Sequence, residues 1–206
     1  MNALKIKYSG NSNCPILDKN FTIREILGGI KLLKSGKASA YDIVDNDLIK
    51  ATASSISPIL CDIFNRILTL EYVPILWGTS IIIPLFKSGE VFDPNNYRGI
   101  SISSCISKLF TLLMNNLLNA FFDTNNTNHF NQLGFRKGFR PADHVFTLKT
   151  LIDQTFYNKE DLFVCFVDFK KAYDTVWRNG LYLKLLKNGV SKKFVRILMN
   201  MYSSLS

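Results

Sequence analysis

Residues 163–176 read Phe163-Val164-Cys165-Phe166-Val167-Asp168-Phe169-Lys170-Lys171-Ala172-Tyr173-Asp174-Thr175-Val176. Five apolar, mostly β-favouring residues run straight into a carboxylate, and the pattern then turns helix-like. This predicts a buried strand over 162–168 that delivers Asp168 to the rim of a sheet, where water and a metal ion can reach it. A carboxylate is a hard oxygen donor and suits Mg²⁺. An ordinary strand capped by an Asp accounts for the same fragment taken alone.

Outward from that stretch, the chain alternates helical patterns with a few short strands. Thr22 and Glu25 form a capping box, with Phe21 placed to staple onto Ile26. Ile26, Ile30 and Leu33 make the stripe of that first helix, and Gly36 is placed to stop it. Further helices are predicted over about 45–54 and 58–70, the second with Ile59, Ile63, Ile67 and Leu70 on its inner face. Thr79 to Phe86 reads as a strand that Pro84 confines to an edge or a bulge. Turns follow at 87–90 and 93–96, and Tyr97 to Ile102 returns as a second strand. Ser103 to Phe122 is helical, with Ile106, Phe110, Leu113, Leu117 and Phe121 inward. Ala142 to Phe156 is helical, with Val145, Leu148 and Ile152 buried. Two last helices run from about Arg178 to Leu186 and from Lys192 to Tyr202. Residues 1–20 carry no periodicity and are expected to be a tail. The mixture is α+β, helix-rich with short antiparallel strands.

The 206 residues are 47% hydrophobic, enough for a sizeable core and against global disorder. A net charge of +9 favours a polyanionic partner, nucleic acid before an anionic membrane surface. Cys14, Cys61, Cys105 and Cys165 form no CxxC pair, so reduced thiols in an intracellular protein, nuclear or cytoplasmic, are expected. No leader-like segment opens the chain. The apolar run 109–122 is interrupted by Thr111, Asn115, Asn116 and Asn119 and is expected not to span a bilayer, which takes roughly 20 apolar residues. Gly29…Gly36-Lys37 is no phosphate-binding P-loop: the glycine spacing is too long, Ala38 stands where Ser or Thr is needed, and a helix precedes it.

Four segments together resemble one family. They are LLKSGKASAYDIVDNDLIK (32–50), WGTSIIIPLFKSGEVFDPNNYRGISISSCISKLF (77–110), NQLGFRKGFRPADHVFTLKTLID (131–153) and FVCFVDFKKAYDTVWR (163–178). In this order and spacing the chain resembles the reverse transcriptase domain of non-LTR (LINE-type) retrotransposons over roughly residues 21–190. The resemblance implies a right-hand polymerase fold: fingers over 21–160 and the N-terminal part of the palm over 161–206. It implies an RNA-directed DNA polymerase, with an RNA template, a DNA primer and a deoxynucleoside triphosphate as partners and two Mg²⁺ ions as cofactors.

The resemblance also assigns roles residue by residue. Asp168 matches the first metal-binding aspartate, and the backbone carbonyl of Phe169 ligates metal beside it. Tyr173 matches the aromatic under the sugar of the incoming nucleotide, where a ring excludes a 2′-hydroxyl; a core aromatic of the next helix is the plain alternative. Asp174 reads as a helix-start acceptor rather than a metal ligand. Lys87 and Arg98 match positions that reach the triphosphate, and both side chains suit phosphate. As a lone pair they would be a solvated hairpin. Arg136, Lys137 and Arg140 cluster around Gly134 and Gly138 and fall near the template strand; a solvated basic loop is their plain alternative. Lys37, which opens the loop 37–42, is expected to bind nucleic acid with them; in that loop Ala40 replaces the family's usual Gly.

The family's palm continues into a Gln-Gly segment and a hairpin tipped by aromatic-x-Asp-Asp. The chain contains no Asp-Asp dipeptide and is expected to be a fragment, incomplete in its catalytic carboxylates and inactive alone. A non-enzymatic, basic nucleic-acid-binding remnant is the second reading, and a maturase-like RNA-binding protein a third.

Overall fold

The computed structural model describes residues 14–169 and 172–203, so residues 1–13 of the expected tail lie outside the described residues. The chain forms two units: one made of residues 1–121 and 179–206, the other of 122–178.

The first unit is built on helices α1 (Ile23–Leu32), α2 (Asn46–Ala51), α3 (Ala53–Leu70), α4 (Cys105–Thr124, which runs just past the unit boundary), α6 (Arg178–Lys187, which begins at it) and α7 (Lys192–Ser203). Helix α1 starts as its capping box dictates. The Glu25 N–H donates to Thr22 Oγ1 at 3.2 Å, and the Thr22 N–H donates to Glu25 Oε2 at 2.8 Å. Ile26, Ile30 and Leu33 are buried as their spacing requires. The helix ends at Leu32, before Gly36, because Leu33 is already extended (ψ 136°). Gly29 lets α1 settle onto α4: a Cβ there would come within 2.8 Å of Leu109 Cδ1.

Two expectations for α3 are corrected. Pro58 lies inside this helix instead of opening it. So near the N-terminus its missing N–H forfeits a single bond, and the helix tolerates it. The buried face is Leu60, Phe64, Ile67 and Leu68, whereas Ile59, Ile63 and Leu70 are exposed. Helix α3 is apolar on more than one side, and its largest side chain decides. Phe64 meets Phe110 with ring centroids 5.2 Å apart, Trp77 at 6.0 Å and Phe21 at 6.4 Å. Such a cluster gains more from burial than the aliphatic stripe would.

Helix α4 buries Phe110, Leu113, Leu117 and Phe121 as predicted, with Cys105, Leu109 and Met114 beside them; Ile106 is half-buried. Contrary to the reading of its interrupting polar residues, this 20-residue helix is long and apolar enough to cross a membrane by length and composition. Its apolar stripe is nevertheless spent on the protein core.

Helices α6 and α7 are joined by a tight turn that Gly189 makes possible at φ +83°. The Gly189 N–H donates to the Leu186 carbonyl at 3.1 Å and the Val190 N–H to the Leu185 carbonyl at 3.1 Å, a Schellman closure. Helix α7 is tied to remote parts of the chain. Ser191 Oγ donates to Asp18 Oδ1 at 2.6 Å, the Val73 N–H donates to Asn200 Oδ1 at 2.8 Å, and Arg196 forks onto the Glu71 carboxylate. The described part of the expected tail, residues 14–20, is thus packed: Cys14 and Leu17 are buried.

The Arg196 hydrogen bond holds the Glu71 carboxyl below its ordinary value, with burial opposing more weakly. A depressed acid stabilises the fold above its unfolded pKa, and the benefit is lost as pH falls through the folded one. The melting midpoint of the chain is therefore expected to fall between pH 6 and pH 3 by more than that of Glu71→Gln. For a pair this exposed the difference should be at most about 1 kcal/mol. Parallel acid titrations of the two midpoints would contradict it.

Strands β1 (Ser80–Phe86) and β2 (Tyr97–Ser103) pair antiparallel, in register from Ser80↔Ser103 to Phe86↔Tyr97. Pro84 sits opposite Gly99 without a bulge, on an edge, as its missing donor requires. Among the described residues these are the only strands. The strand predicted over 162–168 is not formed: residues 161–169 are exposed and in neither helix nor sheet. Apolar β-formers make a strand only beside a ladder partner, and β1 and β2 partner each other.

The second unit holds helix α5 (Pro141–Asn158) and the segments around it. Pro141 starts the helix, and Asp143 Oδ2 accepts the Arg140 N–H at 2.6 Å. The burial expected of Val145, Leu148 and Ile152 is corrected: none of them is buried, nor is any described residue of this unit. An apolar stripe needs a second element to cover it, and α5 is the one helix that lies wholly within this unit among the described residues.

Candidate nucleic-acid interface

The hairpin fixes where Lys87 and Arg98 stand. Leu85 is paired with Arg98, and the Lys87 N–H donates to the Asn96 carbonyl at 2.8 Å, extending the register past Phe86. Side chains alternate along a strand, so Leu85 and Lys87 share a face with Arg98 and Asn96. Lys87 and Arg98 are thus diagonal neighbours on one face of the hairpin, both exposed. Phe86 and Tyr97 meet across the opposite face, ring centroids 5.4 Å apart and planes tilted by 60°.

The connection between the strands is firmly tied. Asn96 Nδ2 donates to the Glu90 carbonyl at 3.0 Å, Tyr97 Oη to the Val91 carbonyl at 2.8 Å, and Asp93 Oδ1 accepts the Asn95 N–H at 2.9 Å. Gly89 is required on two counts: φ is +97°, and a Cβ would strike Asn96 Nδ2 at 2.7 Å. A cationic pair on a braced hairpin can be presented to a polyanion without the ordering cost of a loose loop.

Lys37 is exposed on the loop after α1. The loop is pinned from α2: Asn46 Nδ2 donates to the Lys34 carbonyl at 2.7 Å, and Asp47 Oδ2 accepts the Gly36 N–H at 2.8 Å. That N–H holds the Asp47 carboxyl below its ordinary value. Ala40 is buried and keeps an ordinary φ; the left-handed residues of this loop are Gly36, at φ +66°, and Ile43, at φ +57°.

Beside this loop the first unit forms an open pocket of about 650 Å³, lined by Ala40, Tyr41, Asp42, Trp77, Thr79 and Ser104 among others. Its walls are mostly apolar, with one carboxylate and three hydroxyl groups. Sequence reading passed over it, although Tyr41 and Asp42 stood inside a quoted motif.

In the second unit, Arg136, Lys137 and Arg140 lie on one short loop, Lys137 and Arg140 exposed and Arg136 half-buried. The Arg136 N–H donates to the Leu133 carbonyl at 3.4 Å and its Nη1 to the Gln132 carbonyl at 3.2 Å. Its guanidinium lies 4.9 Å from the centroid of the Phe139 ring. Phe135 was missed by sequence reasoning. It adopts φ +62°, while neighbouring Gly134 does not enter the left-handed region. A non-glycine residue held there costs of order 1 kcal/mol or more.

Asp168, Phe169, Tyr173 and Asp174 are all exposed. The Asp168 carboxylate and Phe169 carbonyl are hard oxygen donors, as a divalent cation of the Mg²⁺ type prefers. They are too few for two ions, and no group of three metal-ligating side chains occurs among the described residues. The four cysteines are free, Cys165 exposed and Cys14 and Cys105 buried.

A model of the family described as reverse transcriptase (RNA-dependent DNA polymerase) matches residues 86–205. The chain is 34% identical over 170 residues to the "Probable RNA-directed DNA polymerase from transposon BS" of Drosophila melanogaster, covering 82% of this chain and 19% of that protein. It is 30% identical over 152 residues to the corresponding protein named for transposon X-element of the same fly, covering 73% of this chain and 17% of the relative. Against the "RNA-directed DNA polymerase from mobile element jockey", also of Drosophila melanogaster, it is 30% identical over 165 residues, 79% of this chain and 18% of the relative. The chain thus spans about a fifth of the length of these relatives.

Proposed function

Because the chain belongs to the reverse transcriptase (RNA-dependent DNA polymerase) family, we infer that it is the fingers and the first part of the palm of a retrotransposon polymerase. The observation that carries this is the family match through residues 86–205, which takes in Lys87, Arg98, the basic loop and the Asp168 stretch together. In this reading 21–160 are fingers and 161–206 palm. The reaction is attack of a primer 3′-hydroxyl on the α-phosphate of a deoxynucleoside triphosphate, with pyrophosphate leaving, templated by RNA.

The roles divide by chemistry. Lys87 and Arg98, on one hairpin face, neutralise triphosphate oxygens. Lys37, Arg136, Lys137 and Arg140 meet the template phosphates. Asp168 and the Phe169 carbonyl would hold divalent metal, Mg²⁺ in this reading. The metal would supply charge stabilisation at the transferring phosphoryl group. The remaining ligands come from outside the described residues, and no membrane takes part.

Tyr173 sets the choice of sugar. In a polymerase completed with the segments beyond this chain, Tyr173→Ala is expected to raise ribonucleotide over deoxynucleotide incorporation about 10–100-fold, the range over which one pocket contact discriminates. Primer extension with each triphosphate in turn measures the ratio. An unchanged ratio would remove Tyr173 from the nucleotide site.

A further inference from the structure

We propose that Phe135 is a stacking platform for an unpaired base, and that the loop 129–140 thereby grips a single strand rather than a duplex. This deepens the reading of the loop as a template contact and rests on it.

Three observations converge. The Phe135 ring is 91% exposed. Its backbone is left-handed although a glycine stands next to it. The loop that carries it is braced: Gln132 Nε2 donates to the Gly134 carbonyl at 3.1 Å, Arg136 returns to Leu133 and Gln132, and the Phe139 N–H donates to the Arg136 carbonyl at 3.4 Å. Other rings of this unit, such as Phe163 and Phe166, are exposed in a stretch without secondary structure. Phe135 is instead held out by a hydrogen-bonded loop.

An exposed ring on a strained backbone is unfavourable twice over in the free protein. A flat ligand covering the ring relieves the first of these. The neighbours identify the ligand. Arg136, Lys137 and Arg140 lie within five residues of the ring, and Arg136 is steadied against Phe139. A π-surface interleaved with cations, one of them steadied, suits a base joined to a phosphate chain. An apolar protein segment would leave the cations unpartnered. A duplex offers phosphates but keeps its base faces closed, so the ring selects unpaired nucleotides.

The test is equilibrium binding of the full 206-residue chain to a labelled oligo(A) RNA and to a blunt RNA–DNA duplex, at one fixed salt concentration. Phe135→Gly keeps the left-handed backbone and removes the ring. It is expected to bind the single strand about five- to a hundredfold more weakly while its duplex affinity stays within about twofold. Phe135→Trp is expected to retain single-strand affinity and to show quenching on binding beyond that of the wild-type tryptophans. A Phe135→Gly chain that binds oligo(A) like wild type overturns the proposal, as does equal weakening on both probes. The triple variant Arg136→Gln, Lys137→Gln, Arg140→Gln separates the two readings. If it weakens both probes while Phe135→Gly weakens neither, the loop contacts nucleic acid and the stacking role alone falls. If the triple variant binds as wild type, the template contact falls and the proposal with it.

Discussion

Asp168→Asn, introduced into a polymerase completed around this chain, is expected to lower primer extension by about 10²–10³-fold or more, the scale on which losing one fixed electrostatic contact to a reacting centre is felt. Asparagine keeps the shape of the side chain and removes its charge. The side chain is exposed, so the exchange should leave the melting midpoint unchanged and the loss should fall on turnover. A charged oxygen ligand to a divalent cation has no neutral substitute of equal strength. Single-turnover extension on an RNA template, with deoxynucleotides and saturating Mg²⁺, measures the effect. A variant within about threefold of wild type would dismiss Asp168 as the metal ligand. By the same reasoning the 206-residue chain alone should extend no primer, since its described residues assemble no group of three ligands.

Phe64→Ala carries the largest expected cost in stability. The side chain is fully buried and joins three other rings, Phe21, Phe110 and Trp77. Truncation removes its transfer energy, leaves a cavity and breaks the edge-to-face contacts, together about 3–5 kcal/mol. Against a typical total of about 5–15 kcal/mol, that brings the chain close to unfolding. Leu70→Ala, on the exposed side of the same helix, should change stability by no more than about 0.5 kcal/mol. Denaturant midpoints of the two variants compare the faces of α3 directly. Equal losses would restore the stripe that the sequence pattern favours.

Where the sequence was legible, a local cause sufficed. The Thr22–Glu25 box needs only four residues to declare itself. The hairpin was legible because Pro84, Gly89 and Asp93-Pro94 constrain the backbone wherever they occur. The face of α3 was not, because Ile59, Ile63 and Leu70 are as apolar as the residues that win. Choosing between them takes knowledge of Phe21, Trp77 and Phe110, which are remote in sequence. The stripe of α5 and the β-formers of 162–168 were legible as patterns, but burial and strand pairing belong to two elements at once. At the candidate site, charge was legible and placement less so. The diagonal of Lys87 and Arg98 depends on register. The strain at Phe135 was masked by Gly134, the residue to which a left-handed conformation would ordinarily be assigned.

The ties from Asp18, Glu71 and Val73 to Ser191, Arg196 and Asn200 have a consequence for the birth of the protein. The first unit is interrupted in the chain by the 122–178 segment and is closed by its own last helix. A ribosome that has made α1 to α4 has made most of a core but not its final wall. The nascent chain must hold Phe121 and its neighbours uncovered until α6 and α7 emerge, and then close a long loop to seal them. Contacts so distant in sequence make for slow closure. During that interval the core of the first unit is open to chaperones and to association with other copies of the chain.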